Sequence, residues 1–267
     1  MKEIKRFCSK PIFVTSLVLL ILALLLMLID QYIFKTKFGD YVSGTITEIL
    51  GIIVTILFVQ YLFDKKSKSD QRLEELLKIT RADRIVGVMI DRYSLFFHRM
   101  THDYSKLASV KQSLDVNFNI SDMKYLHEKC LLMNTDPSRS SVSIFYENEL
   151  ELRNIFISLI QNIDFEYFPE ISLFLLDYIN ASFQNDSRGE ILNNERLSLN
   201  GKPHINNIRS LLENNAEDYL KELQGGKLKH YSNAMFPYVR LYVMIMVQKE
   251  ALVKYKIALE NILIEKK

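Results

Sequence analysis

Residues 11–63 read PIFVTSLVLLILALLLMLIDQYIFKTKFGDYVSGTITEILGIIVTILFVQYLF, and the two apolar runs in this stretch decide how the rest of the chain is read. The first, Pro11 to Ile29, holds nineteen residues without a charge. At about 1.5 Å of rise per residue, a helix of that length roughly crosses a ~30 Å hydrocarbon core. A secretory leader is the rival reading, because Lys2, Lys5, Arg6 and Lys10 precede the run. The run is longer than the usual leader core of about 7–15 residues, and no small-x-small cleavage pattern follows it, so it reads as an uncleaved anchor.

The second run, Gly44 to Phe63, is less uniformly apolar, since it carries Thr45, Thr47, Glu48, Gly51, Thr55 and Gln60. Thr47, Gly51 and Thr55 recur every four residues and so share one helix face. This small-xxx-small ladder would let another helix approach closely, either the first span or a second copy of the chain. Glu48 is an ionisable group near the membrane interior, which is costly to bury and therefore a functional candidate. It lies about one turn inside the helix start, where the positive end of the helix dipole and the headgroup region also suit a carboxylate.

The flanks set the orientation. Four Lys/Arg precede the first run, Lys35 and Lys37 lie between the runs, and Lys65, Lys66, Lys68 and Arg72 follow the second. The positive-inside rule predicts both termini in the cytoplasm of a cell with an inner (plasma) membrane, and the loop from Asp30 to Ser43 outside. Tyr32, Tyr41 and Tyr61 are interface anchors in this topology. Lys65, Lys66 and Lys68 then face anionic lipid headgroups, each worth about 1 kcal/mol.

Beyond residue 63 the chain is electrically neutral. Six of the 34 Lys/Arg and four of the 32 Asp/Glu precede residue 64, so the formal +2 comes from the membrane region. A neutral domain argues against general nucleic-acid binding, which calls for a basic excess. The reading is a hairpin over 1–63, with spans at 11–29 and 44–63, and one cytosolic domain over 64–267, ample for its own core. Cys8 and Cys130 both fall on the cytoplasmic side, where disulfides rarely persist, and read as free thiols.

Eight glycines and five prolines punctuate the whole chain, and the periodicity after residue 63 is helical. A long helix is predicted over about 70–107, with Val86, Met89, Tyr93, Phe96, Phe97, Met100 and Tyr104 on one face. The link before it, DKKSKSDQR at 64–72, contains no Gly or Pro, so this helix can continue the second span. Ser121-Asp122 can cap a short helix ending near Met133, and residues 134–138 read as a turn. Residues 146–163 carry an apolar stripe, and Pro169 suits the first turn of a partner helix, which makes an antiparallel pair. The acidic alternation Glu147, Glu149, Glu151 complements the dipole near a helix start. Residues 184–202 are polar and Asn-rich and read as a flexible loop. Pro203 opens another helix that stops at Gly225-Gly226, and a last helix runs from about Asn233 to Glu265. Leu241 to Val247 is apolar on every side, which puts that helix at the centre of a bundle. With no strand-forming alternation, the fold class is all-α: a two-helix transmembrane hairpin followed by a helical bundle.

Constellations that could carry chemistry are few. His98 and His102 stand four apart on the long helix, and His127 and Cys130 three apart further on. Together they offer the ligand types of a tetrahedral zinc site, although Arg99 after His98 excludes the metalloprotease form, and nothing in the spacing brings the pairs together. Arg81, Arg84, Arg92 and Arg99, with His102, fall near one stripe opposite the aromatic face. They could hold phosphate groups, or form a solvated face paired with Asp83, Asp91 and Asp103. No Gly-rich phosphate loop or nucleophile elbow appears, so no cofactor and no catalytic residue is assigned.

The segment TEILGIIVTILFVQYLFDKK, residues 47–66, followed by a charged and then apolar helix, resembles the second span of small two-helix membrane proteins that recur among uncharacterised bacterial sequences. Some proteins of that architecture act as membrane effectors in anti-phage defence. The resemblance covers about residues 11–100 and transfers no site residue. The unbroken link, the neutral domain charge and the absent catalytic set lead to the reading of a non-enzymatic membrane protein whose helical domain senses or binds a partner and signals to, or perturbs, the membrane, with the bilayer and a homo-oligomer or protein partner as its contacts. The alternatives are a membrane-tethered enzyme or metal binder using His98, His102, His127 and Cys130, or a passive assembly scaffold.

Overall fold

The computed structural model describes residues 21, 25, 39–103, 105, 113–114, 116–130, 139–224 and 232–264. Six α-helices stand among these residues: α1 (Gly39–Thr101), α2 (Ser141–Asn162), α3 (Pro169–Gln184), α4 (Arg188–Asn194), α5 (His204–Gln224) and α6 (Ser232–Ile264). A 3-10 turn at Ile120–Tyr125 and the two-residue strands β1 (Ser198–Leu199) and β2 (Lys202–Pro203) complete them. The fold is all-α. Of the expected hairpin, the first span lies outside the described residues except Ile21 and Leu25, as do Cys8, Tyr104, the 134–138 turn and the Gly225-Gly226 stop. One described helix, Thr47–Thr101 within α1, is long and apolar enough to cross a membrane.

The chain divides into two units, Met1–Glu74 and Glu75–Lys267. In the first, Leu50, Ile52, Val54, Phe58, Leu62 and Phe63 of α1 are all exposed, while Ile53 is buried. The second apolar run and the long helix, which the link was expected to let run on from one another, lie on one helix. The 64–72 link contains no residue that breaks a helix, and Gln60 and Asp64 are bonded across one turn at 3.0 Å. The helix stops at Thr101 and not near 107. There Thr101 Oγ1 donates back to Phe97 O at 3.0 Å, and Asp103 accepts from Ser105 N at 2.8 Å, a local turn that competes with further helix.

The second unit is a bundle with one continuous core. Val86, Ile90, Tyr93, Phe97 and Met100 of α1 are sealed in it, as helical spacing dictates. Ser140 caps α2 by accepting from Ser143 N, and Pro169 takes the first turn of α3. The α2–α3 pair is antiparallel: Phe156 meets Tyr178 edge-on at 5.0 Å, and Glu149 meets Ser182. Beside them α6 buries Leu241, Met244 and Ile245 but leaves Met246 and Val247 exposed. The apolar run of α6 therefore lines the core on one side instead of being enclosed all round. Residues 120–125 form a 3-10 turn in place of an α-helix reaching Met133.

The segment 184–202, expected as a flexible loop, carries regular elements. Arg188–Asn194 is helical, and β1 pairs antiparallel with β2 in the register Ser198↔Pro203 and Leu199↔Lys202. Between the strands, Asn200 (φ 52°) and Gly201 (φ 75°) take positive φ, the conformation that an Asn-Gly pair supplies to a tight hairpin.

Candidate functional site

The residues singled out for membrane contact stand on α1. Thr55 Oγ1 donates to Gly51 O at 2.8 Å, so its hydroxyl is used within the helix. Thr47, Glu48, Gly51 and Thr55 all face outward, and a Cβ at Gly51 would meet no atom within 4 Å. Lys65, Lys66 and Lys68 are exposed on the same helix.

The arginine stripe divides. Arg81 and Arg84 are exposed, and Arg92 forms an exposed ion pair with Glu151 at 3.3 Å. Arg99 is sealed, donating to Lys129 O at 2.6 Å and lying 3.7 Å from Glu128. Arg99 is five helical turns from Arg81 and shares its angular position. The segment that carries Glu128 and Lys129 covers that face near the end of α1, so a continuous phosphate-binding stripe is not formed.

The four candidate metal ligands are not gathered either. His98 Nε2 lies 2.8 Å from Ser113 O, and because a carbonyl only accepts, Nε2 carries the proton. Burial holds this imidazole below its ordinary value, against the opposing hydrogen bond to Ser113, so the ring is neutral at pH 7. His102 Nδ1 is 2.9 Å from Thr101 Oγ1. His127 is engaged elsewhere, with Nδ1 2.9 Å from Glu195 and Nε2 2.9 Å from the Tyr238 hydroxyl. Cys130 is a buried thiol. Among the described residues no group of three or more His, Cys, Asp or Glu could hold a metal ion.

Two polar centres replace these expectations. The first surrounds Glu149, which is 1% exposed and does not decorate an exposed helix start. Its Oε1 accepts from Ser182 Oγ at 2.5 Å and from Gln248 Nε2 at 3.2 Å, and its Oε2 from Arg188 at 3.1 Å. Gln248 Nε2 also donates to Ser182 Oγ at 2.8 Å, while Gln248 Oε1 accepts from the Tyr93 hydroxyl at 2.8 Å. One carboxylate thereby ties α1, α2, α3, α4 and α6 together. Burial raises the Glu149 carboxyl above its ordinary value, against the hydrogen bonds from Ser182 and Gln248 and the charges of Arg153 and Arg188. Burial, aided by the Glu149 charge, likewise pushes the Tyr93 and Tyr178 phenols well up.

Periodicity contained a signal for this centre. Glu149 sits four residues after Phe145 and seven before Phe156, on the buried stripe of α2, whereas Glu147 and Glu151 fall off it. Glu147 bonds Arg139 at the surface.

The second centre lies around His127. Asn194 Nδ2 donates to the Tyr238 hydroxyl at 3.1 Å. That hydroxyl is hydrogen-bonded to His127 Nε2, and His127 Nδ1 to the Glu195 carboxylate. Burial by itself would raise Glu195, but hydrogen bonds from His127 and Ser140 hold its carboxyl below the ordinary value. The order carboxylate, imidazole, hydroxyl is that of a nucleophilic relay. Tyr238 is nonetheless sealed, and its phenol is pushed well up by burial.

Two cavities flank this centre. One of about 420 Å³ is lined by Glu190, Asn193, Asn194, Ala234, Phe236 and Pro237, within the ~300–1,000 Å³ of small-molecule sites. The other, about 60 Å³, touches His127, Glu128 and Arg209. Both polar centres clasp the 184–203 segment. Arg188 enters the Glu149 centre and stacks 5.0 Å above the Tyr146 ring, Ser187 Oγ donates to Pro237 O at 2.9 Å, and Asn194 and Glu195 enter the His127 centre. No protein-family model, curated protein or solved structure matches the chain.

Proposed function

We propose that the chain is a two-pass bacterial inner-membrane protein with both termini in the cytoplasm, whose helical domain senses a ligand or protein partner and acts on the membrane through α1. The observation that carries this reading is the double character of α1. Its first half exposes an apolar surface, and its second half supplies Tyr93 and the core residues that meet the Glu149 centre. Apolar side chains that face water are costly, at about 25 cal/mol per Å², and a bilayer removes that cost. A change of packing around Glu149 would reach the membrane as movement of α1.

The cavity beside α4 is the input we favour, because Asn194 borders it and donates into the Tyr238–His127 pair. The resemblance to membrane effectors of anti-phage defence supports altered membrane permeability as the output.

The test uses the full chain in bacterial cells. Carbonate-washed membranes should retain both the natural protein and the Ser67→Pro/Ser69→Pro variant. The natural protein alone should alter membrane potential when expressed at high level. Recovery of the chain in the soluble fraction, or an equal effect of the proline variant on membrane potential, would sink the proposal.

A further inference from the structure

Two solvent faces of the 75–267 unit carry apolar side chains beside charges of opposite sign. On α1, Ile85 and Val88 are 61% and 60% exposed, and Leu77 joins them on that face. Arg81 and Arg84 fall between these residues at helical spacing. Both are exposed, and neither has an ion-pair or hydrogen-bond partner among the described residues. On α3, Leu173 is 56% exposed, and Phe183 is 61% exposed with the Arg153 guanidinium over its ring at 4.8 Å. Glu170 and Asp177 share that exposed arc, and α3 contains no Lys or Arg. Lys254, the cation that feels the charge of Asp177, is taken by Glu250 at 2.6 Å.

One chain cannot satisfy both faces with each other. The buried rings of Tyr93 on α1 and Tyr178 on α3 meet in the core, centroids 6.0 Å apart, so the solvent faces of the two helices look away from one another. The faces match in length: Leu77 to Val88 spans about 16 Å of helix and Glu170 to Phe183 about 20 Å. Single exposed apolar residues are ordinary. An apolar row flanked by unpaired arginines on one side of a domain, and a second flanked by carboxylates on the other, is a complementary pair.

We infer that the α1 face of one copy docks on the α3 face of a second copy, with Arg81 and Arg84 opposite Glu170 and Asp177. Such a contact is heterologous, so each docked copy presents a fresh face to the next. Charge complementarity fixes the order of the faces and disfavours α1 against α1, where the arginines would repel. The inference rests on the 75–267 unit alone and stands apart from the membrane reading.

The experiment is cross-linking of the full chain in detergent micelles, with Cys8→Ser as background and the buried Cys130 retained. Val88→Cys and Leu173→Cys variants are treated with a short bismaleimide, singly and mixed. The mixture should give a cross-linked dimer at least tenfold more abundant than either variant alone. Adding Arg81→Glu/Arg84→Glu to the Val88→Cys chain should abolish the product. Adding Glu170→Lys/Asp177→Lys to the Leu173→Cys chain should then restore it, which a merely misfolded variant could not do. Self-cross-linking of Val88→Cys as efficient as the mixture would overturn the inference. So would no product from variants that melt like the natural chain, whether copies then meet through membrane helices alone or another protein covers these faces. Failure of the charge exchange to restore the product would overturn it equally.

Discussion

Tyr93 donates its phenol proton to the Gln248 side-chain oxygen at 2.8 Å, joining α1 to α6 across 155 positions of sequence. The amide nitrogen of the same glutamine reaches Ser182 and Glu149, so the hydroxyl of Tyr93 is the entry of α1 into the buried centre. Tyr93→Phe keeps the ring packing and leaves Gln248 Oε1 without this donor. The expected cost is about 1–3 kcal/mol, read from thermal melts of the full chain in detergent. A variant as stable as the natural chain would mean that the bond contributes nothing net.

Arg188 is the half-open partner of a sealed carboxylate, with 26% and 1% side-chain exposure respectively. Removing the guanidinium with Arg188→Met takes the ion pair from Glu149 and frees the Ser187–Asn194 segment from one of its anchors, leaving Ser187 on Pro237 O and Asn194 on the Tyr238 hydroxyl. Breaking a buried pair from one side costs about 3 kcal/mol or somewhat more. Hydrogen exchange should therefore rise in residues 184–203 before it rises in α2. Unchanged protection there would count against the clasp.

The sealed Glu149 and the partly exposed Glu195 respond to pH with opposite sign. Burial raises Glu149 above its ordinary value near 4.5. Between that value and the raised one, the folded chain holds a proton that the unfolded chain has lost, so its contribution to stability is greatest in acid and is lost as pH rises through the folded value. The stability advantage of the natural chain over Glu149→Gln should therefore shrink with rising pH. Glu195 is held below its ordinary value, so its contribution is present above about 4.5 and is lost as pH falls through the depressed value. The advantage over Glu195→Gln should shrink in acid. Melting series on both variants check the signs, and parallel curves would refute the assignment.

Gly201 carries φ 75° in the β1–β2 hairpin, a region that costs an L side chain about 1–2 kcal/mol. There is open space around it, so Gly201→Ala tests backbone conformation alone. A loss of about 1 kcal/mol in urea unfolding is expected. A gain would show that the turn adopts another conformation in solution.

Val54 is exposed near the middle of the apolar half of α1. Arginine at the centre of a span costs about 3 kcal/mol on insertion scales. Val54→Arg should therefore lower the carbonate-resistant membrane fraction, while Arg at the already exposed, polar Ser67 should not. Equal retention of both variants would argue that this half of α1 does not enter the bilayer.

Helical periodicity made most of the architecture legible. The faces of α1, α2, α3 and α6 follow from the 3.6-residue repeat, and the prolines at 169 and 203 mark where α3 and α5 begin. The 184–202 segment was less legible because its composition is polar. Its order comes from long-range partners, Glu149 for Arg188 and His127 for Glu195, and no local pattern encodes those. The Asn200-Gly201 pair was a readable hairpin signal inside it.

Sequence by itself determined the helical class, the apolar first half of α1 and its uninterrupted passage through the 64–72 link, because these depend on local propensity and on how many apolar residues follow one another. Tertiary structure alone decided the fate of the charged side chains. Arg81 and Arg99 occupy the same angular position on α1, yet one is in water and the other is sealed against Lys129 O. Glu147 and Glu149 are two residues apart, yet one bonds a surface arginine and the other joins five helices. Charge burial depends on which distant segment covers a face and whether it brings hydrogen-bond partners, and that information exists only once the chain has folded.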